Sequence, residues 1–118
     1  MTLVDVISLF DKTRPNSFEY HTKRNWLLSL ETKIREFANL YSGKKTDMGF
    51  CDEENPTLFL DKGSSDIYVY YLASMADLTN GEYSLYNISS TYFNSVFREW
   101  KRQYRGCNIP LKATGIKL

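Results

Sequence analysis

The stretch that decides the fold is Asp66–Tyr83, DIYVYYLASMADLTNGEY, where a helical apolar pattern runs into a turn signal. Two adjacent faces recur at helical spacing: Ile67, Tyr71, Met75 (or Ser74) and Leu78, and beside them Tyr68, Leu72 and Ala76. A helix that is apolar over so much of its circumference is typical of a central position. Ser65 is its predicted N-cap. Asn80 and Gly81 tolerate the left-handed conformation that ends a helix, so we expect a break there.

The sequence after this break predicts one more helix and then a tail. Glu82 opens the helix, and Gly106 ends it after about Arg105. Its apolar stripe is continuous at helical spacing: Tyr86, Ser89/Ser90, Phe93, Val96/Phe97, Trp100 and Tyr104. Residues 107–118 contain proline and glycine and have no helical face. They predict an extended C-terminal tail that orders on a partner, or frays.

The sequence before the central stretch predicts two helices. Residues 2–11 carry Leu3, Val6, Ile7 and Phe10 at helical spacing and form a short amphipathic helix. After the break at Pro15, the segment Asn16–Glu19 matches a capping box, which predicts a helix over 16–42 that Gly43 ends. The apolar stripe of this helix is Leu27, Leu30, Ile34, Phe37 and Tyr41. The charged residues are expected on its other faces: Lys23, Arg24, Glu31, Lys33, Arg35 and Glu36.

Residues 43–65 lose the helical period. Two short apolar pieces, 48–50 and 57–60, are expected to pair as a small hairpin or to lie as an extended loop. The predicted fold is therefore mostly α, a small bundle of three to four helices. It includes two long antiparallel helices, a short β-like loop insertion and an extended C-terminal tail. The domain prediction is a helical domain over 1–106, with 43–65 as an acidic loop insertion, and a tail over 107–118.

Composition and charge exclude several classes of protein. The chain has 118 residues, of which 42% are hydrophobic and 25% charged, as in ordinary globular domains. No apolar run approaches the roughly 20 residues needed to cross a bilayer, and Asp5 stands where a secretory signal needs basic residues. The net charge of +1 is divided into −4 over residues 1–97 and +5 over residues 98–118. Residues 47–66 form an acidic block, so the middle of the chain is acidic and its end basic.

No motif predicts catalysis, a metal site or a cofactor. The chain has one histidine, His21, and lacks nucleophile, phosphate-loop and zinc-protease motifs. The acidic run at 52–54 lacks the ligand ladder of a calcium loop, which favours a solvated loop. Cys51 and Cys107 are far apart and fit free thiols, each an incidental small hydrophobe. The basic run Arg98–Arg105 has three interpretations: nucleic-acid binding, a helix end whose cations complement the helix dipole, or a face that meets the acidic block of another copy.

Several motifs in order resemble one family. The pieces are Met75-Ala-Asp77, Asn80-Gly-Glu-Tyr83, Tyr86-Asn87, Phe93-Asn94 and the aromatic helix end from Trp100 to Tyr104. The N-terminal half adds Arg14-Pro-Asn-Ser-Phe18, Lys23, Trp26-Leu27 and Glu31. Together they resemble the small head–tail connector (adaptor) proteins of tailed bacteriophages and prophages, over roughly residues 3–105. The residues that carry most of the resemblance are Trp26, Tyr71, Met75, Asn80, Gly81, Tyr83, Tyr86, Phe93 and Trp100.

The resemblance implies a mostly helical subunit without enzymatic activity. Such subunits form a ring under the portal, extend the DNA channel and link the capsid to the tail. The implied partners are copies of the chain itself, the portal protein, the next head-completion or tail protein, and genomic DNA that passes without sequence-specific contact. The implied location is the head–tail interface of the virion, with the host cytoplasm during assembly.

A ring is a head-to-tail assembly in which two different patches of one subunit must match. The candidate inter-subunit or portal contacts are Asp52, Glu53, Glu54, Asp61, Arg98, Lys101, Arg102, Arg105, Ile109, Leu111, Ile116 and Leu118. One alternative is a small helical DNA-binding or regulatory protein of prophage origin. Another is a small enzyme or cofactor binder, which needs a concave pocket with convergent polar groups.

Overall fold

A computed structural model describes residues 1–41 and 46–107 of the chain. These residues form four α-helices and no strand: α1 Leu3–Thr13, α2 Tyr20–Tyr41, α3 Ser65–Thr79 and α4 Tyr83–Cys107. Two 3-10 turns, Gly49–Asp52 and Lys62–Ser64, lie between α2 and α3. The molecule is elongated, with principal extents of 53 × 33 × 21 Å. The prediction of a small, mostly α bundle is confirmed.

Helix α3 lies at the centre and packs against each of the other three helices. Its buried residues include Ile67, Tyr68, Leu72 and Ala76, as the two apolar faces predict. Leu78, expected on the first face, is instead 40% exposed because it lies in the last turn beside the break. Ser64, not Ser65, occupies the N-cap position of α3, and its side chain forms no capping hydrogen bond.

The turn after α3 forms where the sequence predicts it. Gly81 has φ +73° and is the one residue in the described part of the chain with a positive φ. The amide of Glu82 donates to the carbonyl of Asp77 at 2.9 Å, and the amide of Tyr86 donates to the carbonyl of Glu82 at 2.9 Å. Because this connection is short, α4 turns back along α3, and the two helices form the antiparallel pair of the fold. Helix α4 passes through Gly106, the predicted stop, and reaches Cys107.

Helix α1 matches the prediction most closely. Its N-cap is Thr2, whose hydroxyl accepts from the amide of Asp5 while the Asp5 carboxylate accepts from the amide of Thr2. This capping box satisfies two backbone donors that a helix start leaves without partners. The four predicted apolar residues are all buried: Leu3, Val6, Ile7 and Phe10.

Helix α2 begins at Tyr20, four residues after the predicted start at Asn16. The Asn16 side chain does not cap a helix. Its oxygen accepts from the amide of Phe18 at 3.2 Å, and its nitrogen donates to Asp11 at 2.9 Å and to the carbonyl of Arg14 at 3.0 Å. An asparagine that bonds to nearby backbone competes with helix formation, so residues 15–19 lie outside any helix.

The predicted hairpin between 48–50 and 57–60 does not form. The first piece is not an extended loop either, because Gly49–Asp52 is a 3-10 turn, whereas the second piece lies outside any helix. Thr57 forms an isolated antiparallel bridge with Thr2. The amide of Leu3 donates to Pro56 at 3.0 Å, and the amide of Leu58 donates to Met1 at 2.9 Å. The N-terminal residues thus take the backbone positions that a second hairpin strand would have used. The predicted tail over 107–118 begins too early, since Cys107 is the last residue of α4. Its remaining residues, 108–118, and the predicted helix stop at Gly43 lie outside the described residues.

Candidate interaction surfaces

Three charged residues of α2 are buried, although the sequence predicts them on outer faces. Lys23, Glu31 and Arg35 are 5%, 0% and 8% exposed. The prediction is wrong for Glu31 and Arg35 because residues 46–60 pack over that side of α2 and bind both side chains. It is wrong for Lys23 because this residue lies against Asp11 of α1. Lys23 donates to Asp11 at 2.8 Å. Burial raises the pKa of Asp11, but hydrogen bonds from Lys23 and Asn16 outweigh it, so the pKa lies below its usual value.

Two arginines of α2 hold the loop of residues 46–60 through its backbone. The Arg35 guanidinium donates to the carbonyls of Asp47 at 2.6 Å and Thr57 at 2.8 Å, and lies 4.3 Å from the centre of the Phe50 ring. The Arg24 guanidinium donates to three carbonyls, those of Cys51 at 3.3 Å, Glu53 at 2.6 Å and Glu54 at 2.7 Å. A charge-assisted donor on several carbonyls fixes a segment that has little regular hydrogen bonding of its own.

The arginines bind main-chain carbonyls, and the acidic side chains of the loop are exposed. Asp52, Glu53 and Glu54 form an acidic tip with no ion pair to any residue in 1–41 or 46–107. Asp61 is exposed beyond the tip. Within the described residues, no group of three or more His, Cys, Asp and Glu side chains is arranged to hold a metal ion. The tip is therefore a fixed negative surface.

The C-terminal half of α4 carries the predicted cations on its outer side. Arg98 and Arg105 are exposed and form no ion pair with another described residue. Together with Arg102 they form a surface that we call the basic face. Arg102 pairs with Glu99 at 2.5 Å, and this hydrogen bond lowers the pKa of Glu99. Nζ of Lys101 lies 4.7 Å from the ring centre of Phe97, so this charge already has a partner within the molecule.

An aromatic cluster joins α2, the loop and α4. Trp100 lies 5.6 Å from Phe37, 5.9 Å from Phe97 and 5.2 Å from Tyr104, between ring centres, and Phe59 of the loop lies 6.0 Å from Tyr104. Edge-to-face and offset ring contacts at these distances stabilise the fold by more than the burial of their apolar area alone. Trp100 and Tyr104 are half-buried in this cluster, as the apolar stripe predicts, which leaves neither ring open on both faces for stacking on a base.

A polar network joins the α1–α2 connection to the helical hairpin. Arg14 forms an ion pair with Asp77 of α3, and the hydroxyl of Ser89 in α4 donates to the same carboxylate at 2.8 Å. Burial raises the pKa of Asp77, but the hydrogen bonds from Arg14 and Ser89 outweigh it and the pKa is lowered. Sequence analysis missed this network because Arg14 and Asp77 lie 63 residues apart.

The first half of α4 exposes an apolar stripe that was also missed. Leu85, Ile88 and Tyr92 are 47%, 55% and 57% exposed and lie at spacings of three and four residues on one side of the helix. The spacing of these three residues is visible in the sequence, but the neighbouring stripe from Tyr86 to Tyr104 is longer and gives the stronger helical pattern. Tyr92 stacks on Tyr70 of α3 with ring centres 5.7 Å apart.

The motif residues divide between helix packing and the turn. Half-buried in helices are Trp26, Tyr71, Met75, Tyr86, Phe93 and Trp100, whereas Asn80, Gly81 and Tyr83 are exposed at the turn. Tyr71 contacts Phe93 across the hairpin at 5.1 Å between ring centres. Exposed side chains are also found at His21, Cys51 and Cys107, so neither thiol serves as a small hydrophobic core residue. The predicted contacts Ile109, Leu111, Ile116 and Leu118 lie outside the described residues.

Over the described ranges, no helix has the length and apolar character needed to span a membrane. Comparison with protein-family models, with curated proteins and with solved structures finds no match for this chain. The described residues present three exposed surfaces: the acidic tip, the basic face, and the apolar stripe of Leu85, Ile88 and Tyr92.

Proposed function

We propose that this chain is a non-enzymatic structural adaptor that assembles with copies of itself through opposite charges, as a head–tail connector of a tailed phage or prophage. The observation that carries the proposal is that one chain presents an acidic tip and a basic face without pairing them to each other. Two unlike, complementary patches on one subunit are what a head-to-tail ring requires.

The way the two surfaces are held supports this assignment. The acidic tip is fixed by Arg24 through main-chain carbonyls, so its carboxylates are left for an outside partner. The basic face stands on a helix whose opposite side packs against α3. Because both surfaces are ordered before contact, little conformational entropy is lost on association, and charge complementarity sets the register.

The sequence motifs support the choice of a phage connector among structural proteins. In that assignment a ring of subunits sits under the portal, lengthens the DNA channel and receives the next head-completion or tail protein. Basic side chains that are not used between subunits face the phosphates of the passing DNA without reading bases. The location would be the virion, with assembly in the host cytoplasm.

Charge reversal tests the proposal in the particles of the phage that encodes the chain. Glu53→Lys/Glu54→Lys reverses the acidic tip, and Arg98→Glu/Arg105→Glu reverses the basic face. Each change alone places like charges opposite each other in a ring, so we expect the chain to be lost from purified particles, as measured by mass spectrometry. Combining all four changes restores opposite charges, and incorporation should recover.

The control is Lys33→Glu/Glu36→Lys, which exchanges two exposed charges of α2 outside both surfaces. It should leave incorporation unchanged. Absence of the unmodified chain from particles overturns the connector assignment, and failure of the fourfold variant to recover overturns the charge pairing.

DNA binding is the second candidate, and the unpaired cations Arg98 and Arg105 favour it. A DNA-binding protein of this size should bind duplex DNA as an isolated chain, with an affinity that falls steeply as salt is raised. Arg98→Glu/Arg105→Glu should abolish that binding, whereas Glu53→Lys/Glu54→Lys should strengthen it. An adaptor would show neither effect at physiological salt.

A further inference from the structure

A cavity of about 550 Å³ lies between α1 and the start of α3. Ser8 and Lys12 line it from α1, where their spacing of four residues places them on one side of the helix. Lys62, in the 3-10 turn before α3, and Ser65, the first residue of α3, line it from the α3 side. The volume lies within the range of small-molecule sites in proteins, about 300–1,000 Å³.

These four polar side chains are not used by other described residues. Neither lysine forms an ion pair with a residue in 1–41 or 46–107, and neither serine hydroxyl forms a hydrogen bond with one. Each ammonium group offers three donors, and each hydroxyl offers one. A ligand that satisfies donors from both helices must therefore bring several acceptor oxygens and a negative charge.

The carboxylate of Asp5 also lines the cavity, but it is held by the backbone. Its Oδ2 accepts from the amide of Thr2 at 3.0 Å. This bond is the main cause that lowers the pKa of Asp5, and the charge of Lys62 adds to it. Asp5 lies two turns before Lys12, about 10 Å along the helix, so an anion at Lys12 and Ser8 can avoid it. Two lysines against one aspartate leave the lining with a net positive charge.

The rest of the lining is apolar and selects among anions. Met1 and Leu9 contribute this surface, and Leu9 is 41% exposed although it is a large aliphatic residue. An inorganic anion would use the donors and leave Leu9 in contact with water. A ligand with an apolar body would cover Leu9 as well, and the burial of apolar area adds to its affinity.

We propose that this cavity binds a phosphate ester with an apolar body. A phosphate group brings three acceptor oxygens and a charge of about −1.5 to −2 near neutral pH. It matches donors from Ser8, Lys12, Lys62 and Ser65 better than a carboxylate, which has two oxygens and one charge. The site includes no residue of the acidic tip or the basic face, so it does not rest on the proposed assembly.

A titration of the isotope-labelled full chain with phenyl phosphate, followed by NMR, tests the site. We expect amide shifts that are concentrated at residues 5–12 and 62–65 and that saturate at low-millimolar concentration. Lys12→Glu and Lys62→Glu should each weaken binding at least about fivefold, because each replaces a charge-assisted donor with a like charge. Inorganic phosphate and phenol each carry one half of the probe, and each should bind at least about fivefold more weakly than phenyl phosphate.

Lys33→Glu is the matched control, because it reverses one exposed lysine of α2 outside the cavity lining. It should change the affinity by less than about twofold, since solvent and salt screen a distant exposed charge. Shifts that do not saturate, or that appear equally at Arg98 and Arg105, would reveal a general attraction to cations and overturn the proposal. Equal affinity for inorganic phosphate, or an equal loss in Lys33→Glu, would overturn it as well.

Discussion

The hydroxyl of Tyr68 in α3 donates a hydrogen bond of 2.7 Å to Oε1 of Glu31 in α2, a carboxylate with no exposed surface. The other oxygen, Oε2, accepts from the amide of Phe59 and from Nε of Arg35, both at 2.7 Å. The Tyr68 oxygen in turn accepts from the amide of Leu60 at 3.2 Å. Burial raises the pKa of Tyr68 above its ordinary value, which keeps the hydroxyl protonated as a donor. This pair therefore joins α2, α3 and the loop between them.

Replacing Glu31 should be among the most destabilising single changes in the chain. Glu31→Ala leaves the Arg35 charge without its carboxylate and leaves the Phe59 amide and the Tyr68 hydroxyl without an acceptor. Removing one partner of a buried pair costs about 3–5 kcal/mol, so we expect the urea midpoint to fall sharply. Tyr68→Phe removes one hydrogen bond and should cost about 1–2 kcal/mol.

Glu36→Ala is the control for this measurement, because Glu36 is an exposed acid on the same helix. Its effect should stay within about 0.5 kcal/mol, as for ordinary surface changes. A similar small loss for Glu31→Ala would contradict the view that the buried carboxylate organises the three elements.

Arg24→Ala should free the acidic tip without unfolding the protein. Arg24 is partly exposed and its three bonds all go to loop carbonyls, so the global free energy of unfolding should fall by no more than about 1–1.5 kcal/mol. Locally, the Glu53 amide, which donates to Phe50 at 3.1 Å, should exchange its hydrogen at least several-fold faster. Lys33→Ala on the same helix should change neither quantity.

The helices and the apolar core could be predicted because their signals are local. Leu3, Val6 and Phe10 recur at helical spacing and lie on the buried side of α1. Gly81 has the left-handed backbone conformation that ends a helix, which glycine adopts readily. The charged centre of the fold could not be predicted in this way. Glu31 and Arg35 look like solvent-facing residues until the loop that covers them is placed, and nothing within a few residues of them specifies that contact.

The same distinction holds for the surfaces. The acidic and basic residues of the candidate interface could be selected from the charge distribution along the chain, since exposed charge needs no distant partner. Lys101 was selected with them, but its position over Phe97 and Phe37 depends on packing between helices. The stripe of Leu85, Ile88 and Tyr92 was overlooked because amphipathic spacing predicts a buried face, and only the packing reveals which of two stripes is buried.

The ion pair of Arg14 and Asp77 should make stability depend on acidic pH. The pKa of Asp77 in the folded chain lies below the value of 3.8 expected without partners. Such a group stabilises the fold above the unfolded-state pKa, and the contribution is lost as the pH falls through the folded-state pKa. Asp77→Asn should therefore cost about 1–3 kcal/mol near neutral pH, less than a fully buried pair, because Arg14 is 32% exposed.

The measurement is denaturant unfolding of both chains as the pH is lowered from neutral to below about 4, the range in which carboxylates titrate. The difference in free energy of unfolding should be constant near neutral pH and shrink at the acidic end. Asp66→Asn, at an exposed position of the same helix, should show no such pH-dependent difference. If the difference in free energy of unfolding between wild type and Asp77→Asn stays the same at the lowest pH, the ion pair of Arg14 and Asp77 is not its source.

Gly81→Ala should destabilise the helical hairpin through backbone conformation alone. Gly81 has φ +73°, and a Cβ built there meets no atom within 4 Å, so no steric clash contributes. A residue with a side chain pays about 1–2 kcal/mol for the left-handed conformation. Gly106→Ala is the matched control: it also meets no atom within 4 Å but lies in α4, where alanine is favoured by up to about 1 kcal/mol. In thermal unfolding, we expect Gly81→Ala to lower the midpoint temperature and Gly106→Ala to raise it. A lower midpoint for both variants would contradict the need for a left-handed conformation at Gly81.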